Sequence, residues 1–245
     1  MAKQKGIIHF VGTINGVNFY IRKGKPVARR AGGGFNGSAI KKKPSMARIR
    51  ENNSEFGTTS SAKKLFKDSL APFLGNVKDS VLQGALMQLF IKIKNCDLVS
   101  ERGKRSVPLG IESSEGKQFL ENFEFTSLKL PYSNSYFDEV TSTFTITDFN
   151  VKGLKYPKGA THLKLQLGIV SLDFDAKNKF LFASSPLLIP KNTDFGTISM
   201  EAAVPPDLTG IRVAVFYYRY TQDLNGLFYD LKDKTAYGIV VLKVY

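Results

Sequence analysis

Tryptophan is absent from the 245 residues, cysteine occurs once and histidine twice. Cys96 alone excludes an internal disulfide, and one thiol with two distant imidazoles, His9 and His162, does not make a structural zinc cluster. A Ser-His-Asp or Cys-His arrangement has to recruit one of those histidines. Both fall on predicted strands, away from the turns that usually present a catalytic group. Neither G-x-S-x-G nor G-x-x-x-x-G-K-[ST] occurs, which removes the nucleophile elbow and the P-loop. No apolar run approaches the roughly 20 residues that span a bilayer. The apolar stretch at 6–12 is too short and too polar for a signal peptide. A cytoplasmic setting, or a particle assembled in the cytoplasm, is therefore expected, with Cys96 as a small buried hydrophobe in a helical setting.

Acidic residues are missing from one region in particular. Residues 1–70 hold 15 Lys and Arg against 3 Asp and Glu, whereas the remaining 175 hold 20 against 18. Residues 22–50 carry ten basic residues and no acid. Nearly all of the net charge of +14 lies in the first third of the chain, and a concentrated basic surface attracts polyanions. Nineteen Phe and ten Tyr lean the rest of the chain towards β-structure.

Residues 7–14 and 17–22 read as strands around Asn15-Gly16, the dipeptide favoured by a type I′ turn because both central positions need φ > 0. A third segment at 27–30, after Gly24-Lys25-Pro26, extends the ribbon. A bare hairpin is marginal in water, so this one has to lie on the helices, on the later sheet or on another copy. Gly32-Gly33-Gly34, with Gly37 and Ser38, marks a flexible break. Residues 35–60 read as exposed, with one helical stretch at 45–56 started by Pro44. Ser60 or Ser61 caps a helix with Ala62, Leu65, Phe66 and Leu70 on one face, stopped near Pro72. Asn76 caps a longer one, in which Val77, Val81, Leu82, Ala85, Leu86, Leu89, Phe90 and Ile93 keep helical spacing to about Asn95.

The polar connection at 101–105 is the expected domain boundary, after which the apolar period becomes two. Phe123 and Phe125 alternate with Glu124, and Phe144 and Ile146 with threonines. Leu163, Leu165, Leu167 and Ile169 face one way; Val170, Leu172 and Phe174 take the opposite parity, and a slip at Gly168 suggests a β-bulge. Further strands are expected at 180–182, 196–202, 211–220, 227–231 and 238–245, with a hairpin at Asn225-Gly226. Seven or eight short strands at turn-rich spacing indicate a sandwich. The expected fold is α+β: an N-terminal β-hairpin and a helical hairpin followed by an antiparallel Ig-like β-sandwich. The segments are 1–57 (basic hairpin and extended arm), 58–100 and 101–245.

Three constellations carry possible chemistry. Gly32-Gly33-Gly34-Phe35-Asn36-Gly37 matches G-x-G-x-x-G, but Lys41-Lys42-Lys43-Pro44 follows and no amphipathic helix opens on the last glycine, so a linker is expected. Asp173 and Asp175 flank Phe174 on a predicted strand, which places both carboxylates on one face. That is an arrangement for acid–base work or Ca²⁺, or simply a strand end running into a solvated turn. Arg22, Lys23, Lys25, Arg29 and Arg30 sit on or beside the hairpin with Phe19 and Tyr20. Lys41, Lys42, Lys43, Arg48 and Arg50 follow in the arm. Interleaved cations and aromatics contact phosphates and stack on bases; basic arms equally dock on acidic protein surfaces. No recognised nucleic-acid motif is present.

The strings MAKQKGII at 1–8, GTINGVNFY at 12–20, RIRENNSEFG at 48–57, GATH at 159–162 and the stretch 216–231 with its Asn225-Gly226 turn resemble an uncharacterised protein family of Bacteroidota. The resemblance covers essentially the whole chain as one architecture. It implies no established activity, cofactor or catalytic residue, and it is concentrated in the hairpin and at 48–57. Lys41-Lys42-Lys43-Pro44 departs from the less basic stretch that it implies. The resulting expectation is a non-catalytic structural or assembly protein, without cofactor or metal. It self-associates as a homo-oligomer, a particle or a phage-derived assembly, or docks on a partner, through its basic hairpin and arm. The alternative is a nucleic-acid-binding protein using the same segment. A lectin-like sandwich led by Asp173 and Asp175 has only the fold in its favour.

Overall fold

The computed structural model describes residues 2–6, 8–31, 37–75, 80–126, 128–194, 196–233 and 235–245. The chain divides into two compact units, Met1–Arg50 and Glu51–Tyr245.

The first unit contains an antiparallel sheet of β1 (Ala2–Lys3), β2 (Gly12–Ile14), β3 (Val17–Arg22) and β4 (Lys25–Arg30), in the order β1-β4-β3-β2. Two two-residue turns build it. Asn15-Gly16, at φ 45° and 75°, joins β2 to β3, and Lys23-Gly24, at φ 50° and 74°, joins β3 to β4. Positive φ at both central positions matches the right-handed twist of the flanking strands. The second turn escapes a reading that waits for Asn-Gly, and it starts β4 two residues earlier than expected, at Lys25. At the other end β2 is shorter than 7–14, so His9 lies outside any strand. Phe10 is tied down by Gln4 instead. Its amide nitrogen donates to the carbonyls of Phe10 and Val27 (3.2 Å each), and its oxygen accepts from the Phe10 N–H (2.9 Å).

Beyond the glycine run, whose residues 32–36 lie outside the described set, a helix does open at Gly37. It is only the six-residue α1 (Gly37–Lys42), followed by a 3₁₀ turn at Pro44–Met46. Then α2 (Ala47–Ser69) runs unbroken for 23 residues, where two helices were expected. Ser61 sits inside it because its hydroxyl donates to the Gly57 carbonyl (3.2 Å), as Thr58 and Thr59 do to Glu55 (3.0 and 2.6 Å). Such back-bonding satisfies the side chains without starting a new helix.

The second unit continues with α3 (Ala71–Leu74), α4 (Ser80–Asn95), α5 (Val107–Glu112) and α6 (Ser114–Glu121), and then strands β5 (Ser135–Asp138), β6 (Thr143–Ile146), β7 (His162–Asp173), β8 (Asn178–Ala183), β9 (Leu187–Pro190), β10 (Ile198–Glu201), β11 (Ile211–Leu224), β12 (Leu227–Asp230) and β13 (Tyr237–Val244). The expected cap at Asn76 lies outside the described residues. Helices α5 and α6 were not expected. Ser106 and Ser113 cap them, accepting the N–H of Leu109 (3.5 Å) and Gly116 (2.9 Å), and each helix is too short to show a period. Phe123 and Phe125 form no strand; they meet edge to face (4.9 Å) in an irregular segment, with Phe125 against Phe66. Cys96 follows the last residue of α4 and is half-buried, its thiol donating to the Lys92 carbonyl (3.5 Å).

The strands form a six-stranded sheet and a three-stranded one, both antiparallel. In the larger, β11 pairs with β7 on one side and with β12 and β13 on the other, while β7 also pairs with β8 and β9; the smaller runs β10-β6-β5. This is an α+β fold with a sandwich-like C-terminal part. The larger sheet is covered on both faces. Leu163, Leu165, Leu167 and Ile169 of β7, with Ala214, Phe216, Tyr218 and Tyr220 of β11, pack against Phe144, Ile146, Ile198 and Met200 of the smaller sheet. Val170 and Leu172, with Val213, Val215 and Tyr217, pack on the helices through Phe66, Phe73, Leu86 and Phe90.

That double covering corrects the bulge expected at Gly168. The β7–β11 register runs through Gly168↔Val215 without interruption, and alternation along β7 is strict. The apolar set changes parity because the strand leaves the cover of one layer and enters that of the other. The irregularity lies instead between Ala214 and Val215 in the β11–β13 pairing, where Leu242 is the extra residue. Gly168 has a different reason: a Cβ there would lie 2.5 Å from the Phe73 ring, which comes down from α3. Gly238 is a second such place, since a Cβ would lie 2.1 Å from the Tyr218 ring directly opposite. The Tyr218 hydroxyl donates to the Leu128 carbonyl (2.6 Å), so the ring is held over the glycine. Gly238→Ala is therefore expected to destabilise this unit by about 1–3 kcal/mol through overpacking, read as a lower urea midpoint at unchanged m-value.

Candidate functional site

In an antiparallel ladder directly opposed residues project from the same face, so the register of the N-terminal sheet sorts its side chains. One face carries Ala2, Ile14, Val17, Phe19, Ile21, Pro26 and Ala28, with Arg30 at its end. The Phe10 ring lies 6.0 Å from that of Phe19. The other face carries Lys3, Asn18, Tyr20, Arg22, Lys25, Val27 and Arg29. There the Arg29 guanidinium lies 5.6 Å from the centre of the Tyr20 ring. The structure thus parts the two hairpin aromatics: Tyr20 stands among the cations, Phe19 among the aliphatics. It also parts Arg29 from Arg30, leaves Lys23 in a turn, and adds Lys3, which sequence patterning passes over because β1 is two residues long.

The remaining basic residues lie on the helical part of the unit. Lys41 and Lys42 end α1, Lys43 precedes the 3₁₀ turn, and Arg48 opens α2; all four are exposed. Arg50 has a structural task. Its guanidinium donates to the Ile40 (2.6 Å) and Lys43 (3.0 Å) carbonyls, closing the end of α1.

In the second unit the residues weighed for chemistry are held by local structure. His162 Nδ1 lies 2.9 Å from the Thr161 hydroxyl, with the Phe228 ring edge-on at 4.9 Å. Asp175 is not on β7; it lies in the turn that Asp173 caps by accepting the N–H groups of Asp175 (3.0 Å) and Ala176 (2.8 Å). Burial pushes the Cys96 thiol up, away from the thiolate a nucleophile needs. Among the described residues no three His, Cys, Asp or Glu side chains gather as metal ligands, and no helix is long and apolar enough to cross a membrane.

Three features of this unit were not legible as sites. Glu55 of α2 and Lys94 of α4 form a buried ion pair, and Glu55 also accepts the Gly103 N–H (2.7 Å), which fastens the 101–105 connection to α2. Arg219 is buried with its guanidinium 4.8 Å from the Tyr237 ring, donating to the Phe73 carbonyl (3.3 Å) and facing Asp230 at 3.7 Å. A groove of about 730 Å³ runs beside α2, with Ser54, Thr58, Leu65, Val107, Phe174 and Lys179 in its walls. Each joins segments dozens of residues apart, and no periodicity connects them. Comparison of the chain with protein-family models, with curated proteins and with solved structures finds no match.

Proposed function

We propose that the chain is a non-catalytic assembly protein whose N-terminal sheet docks on a second copy of itself through its apolar face. One observation carries this reading. Among the described residues of Met1–Arg50 none is buried, although Ile8, Phe10, Val11, Ile14 and Ile21 each expose more than half of their surface. Ordering the backbone costs about 1–2 kcal/mol per residue, and a sheet that buries no side chain has little apolar burial to offset that. Exposed Ile14 and Ile21 on the apolar sheet face, with exposed Ile8, Phe10 and Val11 in the segment before β2, are the mark of an interface. The charges favour a copy of the same surface as the occupant. The unit holds twelve Lys and Arg and no acid, yet of the sheet's cations only Arg30 lies on the apolar face. Two such faces can meet in an isologous pair with most of the repelling cations turned outward.

Light scattering on the size-exclusion eluate of the full chain tests it. The expected result is a dimer or larger species that becomes monomeric in Ile14→Glu/Ile21→Glu, while the thermal unfolding of the second unit is unchanged. A wild-type chain that stays monomeric at the highest attainable concentration would remove the reading.

A further inference from the structure

We propose that the opposite face of the N-terminal sheet is a binding platform for single-stranded nucleic acid. The face brings Lys3, Lys25, Arg29 and Arg22 together from three adjacent strands, all exposed, with Tyr20 in their midst. Arg22 and Lys25 stand directly opposite one another across the ladder. A polyanion lying across this cluster of exposed cations gains counterion release.

Tyr20 decides the class of polyanion. A half-exposed ring amid cations offers a stacking surface for an unpaired base, and a basic surface with a central aromatic is how sequence-tolerant single-strand binders work. A paired base keeps its face inside the stack. An anionic membrane is disfavoured by the same register, because interfacial binding needs apolar side chains inserting beside the cations. Here Ile14, Phe19 and Ile21 lie on the far side of the sheet. The inference is independent of the assembly reading, which uses that far side.

The adjacent pair Arg29 and Arg30 supplies the test, because removing either costs one charge on opposite faces. Fluorescence anisotropy of the full chain with a labelled oligothymidine should show binding tighter than to a duplex of equal length. Four cations engaged predict a slope of log K against log salt of about −3. Arg29→Ala and, at the other end of β4, Lys25→Ala should each weaken binding several-fold and flatten that slope. Arg30→Ala should leave affinity within about twofold. Tyr20→Leu should lower affinity about tenfold with the slope unchanged, each variant keeping the wild-type circular dichroism spectrum. Equal losses from Arg29→Ala and Arg30→Ala would reduce the effect to diffuse charge and overturn the proposal. So would preference for the duplex, no binding at low salt, or binding to phosphatidylserine vesicles with none to the oligonucleotide.

Discussion

Glu55→Ala is expected to lower the stability of the Glu51–Tyr245 unit by about 3 kcal/mol. That is the low end of the range for breaking a buried ion pair, because the pair lies just beneath the surface. The substitution leaves the Lys94 ammonium without its carboxylate and the Gly103 N–H without its acceptor. The double variant Glu55→Leu/Lys94→Met should recover the part of the loss that comes from the unpaired ammonium, since an apolar pair of similar volume needs no mutual compensation. Burial alone would push the Glu55 carboxyl up, but its hydrogen bonds to Lys94 and Gly103 more than reverse this and hold it below its ordinary 4.5. Asp97 is held low in the same way. Burial is outweighed there by the N–H groups of Ser100 (2.9 Å), Ser106 (2.9 Å) and Val99 (3.1 Å).

A depressed folded-state pKa contributes stability that is complete above the unfolded value and is lost as pH falls through the folded one. The wild-type chain should therefore lose stability on acidification below about pH 4.5, and Glu55→Ala should lose less over the same window. Urea melts at neutral pH and at about pH 3 read the difference. A neutral-pH change within about 0.5 kcal/mol would show that the pair contributes no more than a surface one.

Phe73→Ala is expected to cost about 3–5 kcal/mol in the same melts. The ring is buried, stacks on Tyr217 at 4.4 Å and 5°, and presses its edge on Gly168. Because Gly168 has no side chain to move into the space, the cavity cannot collapse. A reciprocal follows. Gly168→Ala should destabilise the wild-type chain by about 1–3 kcal/mol through the clash and cost much less in Phe73→Ala, where the tight Leu181 contact at 3.0 Å remains. The two changes are then strongly non-additive. Additive losses would mean that helix and sheet do not meet as a ring in a notch.

The sequence shows where elements lie when their chemistry is local. Asn15-Gly16 and Asn225-Gly226 mark hairpins because two consecutive residues must accept positive φ, and they do. Alternating runs place β6, β8, β10, β11, β12 and β13 to within a few residues. The misses have a common cause. Lys23-Gly24 forms the same turn with a residue less prone to it, α5 and α6 span only about two turns each, and the long α2 absorbs hydroxyl residues that elsewhere cap helices. The parity change in β7 was visible and its reason was not, because one strand cannot say how many layers cover it. The site followed the same division. The cations could be counted from composition, but Phe19 and Tyr20, or Arg29 and Arg30, are neighbours in sequence, and only strand register assigns them to opposite faces.

The strands β7 and β11 belong to two cores at once, and that makes the second unit indivisible. A cut in the 101–105 connection looks harmless from the sequence, since those residues are polar and turn-forming. It would bare Val170, Leu172, Val213 and Val215 along the middle of the sheet, while α2, α3 and α4 lost the strands they rest on. Neither half would be a usable fragment. The helical layer is as much a wall of the sandwich as the three-stranded sheet opposite, and shortening the chain from the front should stop before Glu51.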